Sequence, residues 1–515
     1  MKTCKRTRMR RTLPLLLSLL LVLTAIPAMA EASEPVRLDV FYASNRPMNE
    51  ATDLTRQFMI DNLGVDFNLI QGDSDNFDQQ LALYISSGDM PDVIWCSYAT
   101  WKEYASEGAW ANLTDFLTEE AYPNLMKYVG DSWPYVTVDG EIQAVPSMLN
   151  TPSGQIMAIR GDWLENLELE IPRTLDEYTE VMRAFRTQDP DGDGEMNTWG
   201  LSGAGLSYLS PFMGAFGASA EDDFFLNDDG TIETNAISEN YRSSLRYLRD
   251  IYAEGLIDPE MFTSDDAQAY NKWGRGEMGV CPGWWSFPGN AYLRYDFGVL
   301  QPDAKVEIIL PPVGSEGKSG MLNAAPFSSV IGVSYKCDEE KINAALHLLD
   351  WQATDIGFLT VEFGVEGEFF TYDEELHCPN WTWEFNGGKS KSGKYETTDM
   401  EVYKMLFNEK LQNMHYAFDD AIYNQMYALG SEMRYIEPTR EDVFALFNTE
   451  EYLSVRSDIN AHFEQNMLAF IMGEKDIEAD WETYVQDYLS LAETARQSRL
   501  AAYNETFGTE YTFAE

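Results

Sequence analysis

The sequence predicts an α/β protein of two or three domains, with stretches suited to crossing between lobes. Three observations carry this. Strand-like and helix-like segments alternate along the chain instead of segregating. The 515 residues exceed what one hydrophobic core organises, roughly 250–300 residues. Two stretches rich in proline and glycine, Ser147–Gly154 and Pro311-Pro312, interrupt the alternation where the chain could cross between lobes. A hydrophobic content of 44%, with 13% aromatics, suits packed cores and leaves rings to line a cleft.

The chain opens with a basic head (Lys2, Lys5, Arg6, Arg8, Arg10, Arg11), then an apolar run Leu13–Ala25, then Ala28-Met29-Ala30. These are the parts of a cleavable export signal over residues 1–30. The run is shorter than the ~20 residues a bilayer core demands, so a secreted protein is expected, either extracellular or periplasmic. Losing residues 1–30 removes six basic residues and no acidic one, deepening the formal charge from −49 to −55. Such a surface repels nucleic acid and anionic lipid and favours a monomer. Beyond Cys4, four scattered cysteines (Cys96, Cys281, Cys337, Cys378) have neither CxxC nor zinc-like spacing, and either disulfides or buried thiols suit them.

From residue 36 the elements follow in order. Val36–Tyr42 alternates as a strand, Met48–Leu63 reads as a helix, Val65–Ile70 as a strand, Phe77–Ser86 as a helix and Pro91–Trp95 as a strand leading into the helix Trp101–Glu107. In such a βαβαβ start, ligands collect where strand C-termini meet helix N-termini. Asn45, Trp95, Ser97 and Tyr98 occupy those positions and are candidate ligand contacts. Glu141–Pro146 and Gln155–Arg160 are the next strands, and Trp163 in Asp162-Trp163-Leu164 is assigned to the core. Thr174 and Glu177 form a capping box on the helix Leu175–Arg186. The helix Ser238–Glu254 stops at Gly255, and the strand Gly279–Cys281 runs into Trp284 and Trp285. Val306–Leu310 and Ser329–Ser334 are strands, Asp338–Thr354 is a helix, and beyond Pro379 the chain turns mainly helical, ending in Trp481–Tyr503.

The stretch from Asp189 to Asn197 places oxygen ligands at alternate positions: side chains of Asp189, Asp191 and Asp193, the carbonyl of Glu195 and the amide of Asn197. A loop of this kind wraps one hard cation, calcium, with Gly194 at the sharp turn. The last ligand of an EF-hand loop would be a glutamate and is here Gly200. No G-x-S-x-G, H-E-x-x-H or nucleophilic cysteine signature occurs, and Gly274–Gly279 matches G-x-G-x-x-G before a strand rather than after one. The expectation is a protein that is not an enzyme. A secreted glycoside hydrolase or lyase is the alternative, since 85 acidic residues always allow a carboxylate pair to be imagined.

Six blocks in order carry a resemblance: Gly88–Trp95 with Trp101–Thr114, Val138–Pro146, Arg160–Leu164 with Ile171–Thr174, Gly274–Trp285 and Leu310–Gly317, with a fainter echo from Asp480-Trp481 to Tyr503. They resemble extracellular solute-binding protein family 1, the carbohydrate-binding subunits of ABC importers, distantly like maltose-binding protein. The resemblance implies a type II periplasmic-binding-protein-like fold, a carbohydrate ligand held between lobes that close by a hinge, and a membrane permease as partner. It also implies stacking roles for one of Trp284 and Trp285 and for Tyr208, and a structural calcium in the acidic loop. A peptide or a cationic solute is the non-sugar alternative. The expected division is 31–148 with 313–372 in the first lobe, and 149–312 with 373–515 in the second. Lipid-anchored members carry a cysteine after the signal's apolar core; here that segment reads Ala25–Glu31 without one.

Overall fold

The structure is a computed structural model that describes residues 34–44, 48–73, 76–149, 155–284, 300–301, 303–320, 322–323, 325–373, 378–381, 401–408 and 440–514. The segment expected to be a signal, with Asn45 and Trp285, falls outside them.

Nine strands make the two main sheets: β1 (Val36–Ala43), β2 (Val65–Gly72), β3 (Val93–Ser97), β4 (Ala144–Met148), β5 (Gln155–Arg160), β6 (Trp199–Leu201), β7 (Met278–Trp284), β8 (Val306–Ile309) and β9 (Phe327–Val333). The first lobe holds the order β2-β1-β3-β9-β4 and the second β8-β5-β7-β6. In the first sheet β1 runs parallel to β2 and β3, while β9 returns antiparallel to β3 and β4. Period-two alternation sends Leu38, Val40 and Tyr42 into one buried cluster and Phe41 into the other, so both faces of this sheet are covered. Pro146 is tolerated because β4 is the edge strand. Pro282 is tolerated inside β7 because the pairing with β6 has already ended at Val280↔Leu201.

The second lobe's core joins its sheet to the helices Leu175–Thr187 and Glu239–Ala253 and to two long C-terminal helices, Glu450–Met472 and Trp481–Phe507. Trp163 is fully buried at its centre. The capping box at Thr174 forms as the sequence indicates, with Thr174 accepting from the Glu177 amide and Glu177 accepting from that of Thr174.

Two parts of the expected division are corrected. Residues 401–408 belong to the first lobe: Val402, Tyr403, Met405 and Leu406 join its core. The Gln352 amide donates to the Tyr403 carbonyl at 3.0 Å and accepts from Met405 N at 3.0 Å, while Ser147 donates to the Met405 carbonyl at 2.8 Å. Pro311-Pro312 does not cross between lobes. Val313 N still donates to Arg173 O at 2.9 Å, and a Cβ on Gly314 would lie 1.9 Å from Ala215 O, so the chain hugs the second lobe as far as Gly320. One crossing therefore lies between Gly320 and Phe327; of the expected crossover Ser147–Gly154, residues 150–154 fall outside the described residues. The short strand Arg440–Glu441 pairs in parallel with Leu322–Asn323.

Candidate functional site

A cavity of about 890 Å³ opens beside the crossing that leads into Phe327. Its walls come from the loop after β6 (Gly205–Ser207 and Ser210), from Glu221–Asp223, from the stretch Asp442–Asn448 and from the helix Glu450–Met472, with Ala325 on the first lobe's side. A seam of aromatic rings fixes the place. Tyr135 of the first lobe packs against Phe447 and Phe507 at 5.8 and 5.1 Å, and Phe444 and Phe224 stand 4.9 Å apart.

Carboxylates dominate the inner wall. Asp223 is 5% exposed and accepts from the Ser219 hydroxyl. Burial pushes its carboxyl well above the ordinary range, and the charges of Asp442 and Glu221 add to that. Burial also raises Asp222, to about 6, against the opposing hydrogen bond from the Tyr488 hydroxyl at 2.6 Å. Asp442 accepts from Phe224 N and Phe444 N, each at 3.0 Å; burial raises it while Arg499 opposes the rise. The Arg499 guanidinium donates to the carbonyls of Phe447 at 3.1 Å and Phe444 at 2.5 Å and lies 4.2 Å from the centre of the Tyr452 ring. Tyr452, Phe262 and Phe463 supply ring surface to the same cavity. A cavity of this size with apolar rings and a few convergent polar groups suits a small hydroxyl-rich molecule, which needs flat faces to stack on and acceptors for its hydroxyls.

The residues singled out from sequence lie at several distances from this cavity. Tyr208 is in the loop that lines it, but its ring turns inward, 6% exposed, and its hydroxyl donates to Asp266 at 2.5 Å. Tyr98 is also buried, stacked on Trp101 at 5.6 Å with its hydroxyl donating to the Tyr135 carbonyl at 2.9 Å. Ser97 is exposed and caps the following helix, accepting from Thr100 N at 3.0 Å. Trp95 is half-buried at the end of β3, edge-on to Tyr42 at 5.3 Å and 5.9 Å from Phe407. Trp284 ends β7, paired with Gln155. The wall residues Asp222, Asp223, Asp442, Tyr452 and Arg499 were not among the candidates. The charged triplet Glu221-Asp222-Asp223 just before the apolar Phe224-Phe225 was their only local signal. Cys96, Cys281 and Cys337 are free thiols.

The acidic loop has the makings of a cation site. Carboxylate oxygens of Asp189, Asp191 and Asp193 lie within 4.8 Å of one another. One oxygen each of Asp189 and Asp191 is buried with no hydrogen-bond partner, which is costly unless a cation meets it. Burial and the Asp193 charge raise Asp191 above its ordinary range, as expected of crowded carboxylates. Gly194 takes φ 87° at the turn, and its amide donates to Asp189 at 3.1 Å. Glu195 and Asn197 are exposed, and Asn197 Nδ2 lies 3.4 Å from Asp193.

Two α/β lobes joined by crossings beside a polar cavity define a two-lobed solute-binding fold. The chain belongs to the family described as bacterial extracellular solute-binding protein, which matches residues 42–357. A fructooligosaccharide ABC transporter substrate-binding protein, FusA of Streptococcus pneumoniae, is 30% identical over 241 residues, 43% of this chain and 44% of that protein. The chain spans about half the length of the curated relatives it matches. Among solved structures, an HMO-binding, ABC-transporter-associated solute-binding protein from Bifidobacterium longum infantis superposes with a TM-score of 0.66 at 16% identity, covering 92% of this chain and 99% of that one. An EF-hand mutant of the S. pneumoniae FusA in complex with fructo-nystose gives 0.60 at 21%, covering 92% and 100%. At these identities the superpositions bear on the fold. Among the described residues no helix is long and apolar enough to cross a membrane.

Proposed function

We propose that this chain is the exported, monomeric substrate-binding subunit of an ABC importer, which captures an oligosaccharide between its lobes without changing it covalently and delivers it to a membrane permease. The observation that carries the reading is the cavity at the lobe seam, where carboxylates and ring faces converge beside the crossing. Hinge closure requires the ligand to bind the closed form more tightly than the open one, and contacts from both lobes provide that difference. Trp95 and Trp284, with Asn45 and Trp285 outside the described residues, remain proposed stacking and polar contacts. The relatives named above fit an oligosaccharide of a few units. Thermal shift against a glycan panel tests this: one class of oligosaccharide is expected to raise the melting temperature. A rise with peptides or polyamines and none with sugars would replace the ligand class, and shortened sugar products would make the chain an enzyme.

Calcium is the proposed occupant of the acidic loop, held by Asp189, Asp191 and Asp193, with the Glu195 carbonyl and Asn197 completing the set. The two orphaned buried oxygens support it. Its role is structural, neutralising the loop after the helix Leu175–Thr187. Chelation with EDTA is expected to lower the melting temperature and calcium to restore it. Identical melting curves in both would remove the metal.

A further inference from the structure

We propose that the cavity at the lobe seam selects against acidic sugars: its ligand is an oligosaccharide without uronic acid carboxylates. This rests on the oligosaccharide reading above and narrows its substrate class.

The wall presents the carboxyl groups of Glu221, Asp222, Asp223, Asp442 and Glu464. Against them stand two guanidiniums, Arg456 and Arg499. Arg499 is not free to receive an anion. It is 3% exposed, its Nε and one Nη donate to the main-chain carbonyls of Phe447 and Phe444, its Nη2 stands 3.8 Å from Asp442, and its faces meet Tyr452, Phe224 and Phe444 at 4.2, 5.0 and 5.3 Å. Planar, bidentate recognition of a carboxylate needs an open edge of the guanidinium, and the Nε–Nη2 edge of Arg499 is taken by main-chain carbonyls. One arginine then faces the incoming ligand, together with five acidic groups. A hydroxyl-rich neutral sugar donates to those oxygens; a uronate brings a like charge to the exposed carboxylates of Glu221 and Glu464, with Arg456 alone to meet it. Discrimination of this kind works through repulsion built against the wrong ligand as much as through attraction for the right one.

Isothermal titration calorimetry on the full exported chain tests it. The probes are two chain-length-matched sets of trisaccharides: neutral fructo-, gluco- and galacto-oligosaccharides, and oligogalacturonate with oligoguluronate. The expected result is binding within the neutral set and at least about tenfold weaker binding of every uronate, narrowing as salt rises from about 50 to about 500 mM. Glu221→Lys with Glu464→Lys, both exposed at the rim and so without a buried site to disrupt, is expected to raise uronate affinity several-fold. Uronates that bind the unaltered chain as tightly as neutral sugars overturn this inference and leave the oligosaccharide reading standing. Silence across both sets overturns the oligosaccharide reading and this inference with it. A double lysine variant that folds, as judged by its melting curve, yet gains no uronate affinity also counts against the cavity as the selective site.

Discussion

Asp222 shows what burial does to a carboxyl even where two arginines, Arg499 and Arg496, oppose the change. Desolvation raises it to about 6, although the Tyr488 hydroxyl donates to it. Its unfolded counterpart titrates near 4. Between those two pH values the folded chain holds the extra proton, so this group's contribution to stability is full below about pH 4 and is lost as pH rises through about 6. Asp223 and Asp442, raised for the same reason, act in the same direction. Asp222→Asn keeps an oxygen for Tyr488 and removes the charge. It is expected to stabilise the chain by ~1–2 kcal/mol near neutral pH and to change nothing around pH 4, read from urea melts at both. A variant equally stable to the parent at both pH values would show that the carboxyl is solvated. None of this was visible in the letters Glu221-Asp222-Asp223, because a charge run is usually a solvated face, and only burial against Tyr488 and Phe224 makes it otherwise. Tyr208 and Tyr98 went the other way: a loop or strand-end tyrosine reads as a ligand contact until Asp266 or the Tyr135 carbonyl takes its hydroxyl.

At the scale of elements, local chemistry was legible wherever it is local. The capping box at Thr174 and Glu177 forms in place, and Thr174→Ala is expected to cost about 1 kcal/mol in a thermal or urea melt while leaving ligand affinity alone. The strands at Val36–Ala43, Val65–Gly72 and Gln155–Arg160 stand within two residues of their sequence reading, because the hydrophobic period of two is set by the pleat. The helix begun at Trp101 in the sequence starts three residues earlier, at Tyr98, since Ser97 supplies the cap. Glu141–Pro146 divides into a short hairpin strand, Glu141–Ile142, and β4, since Glu141 pairs with Val138 across the turn at Gly140. Gly274–Gly279 is a helix end: Gly276 takes φ 78° and closes the helix Asp266–Arg275 before β7 begins.

At the scale of the whole molecule, two separately cored lobes meet along an aromatic seam. If that seam is where the hinge turns, adding the sugar found by thermal shift should lower the radius of gyration in small-angle scattering. An unchanged scattering curve on saturation would mean a preformed site and no closure. Sequence by itself determined the α/β class, most strand positions, the helix cap at Thr174 and the acidic loop, because periodicity, capping and ligand spacing are properties of neighbouring residues; the two lobes were legible through the family resemblance. Family membership was legible for the same reason, as ordered short blocks. Tertiary structure alone decided that residues 401–408 return to the first lobe, that the crossing follows Gly320 instead of Pro311-Pro312, and that the cavity wall is built from Asp222, Asp442, Tyr452 and Arg499. Asp222 and Arg499 lie hundreds of residues apart, and only the packing of the C-terminal helices against the second lobe brings their charges into one desolvated wall.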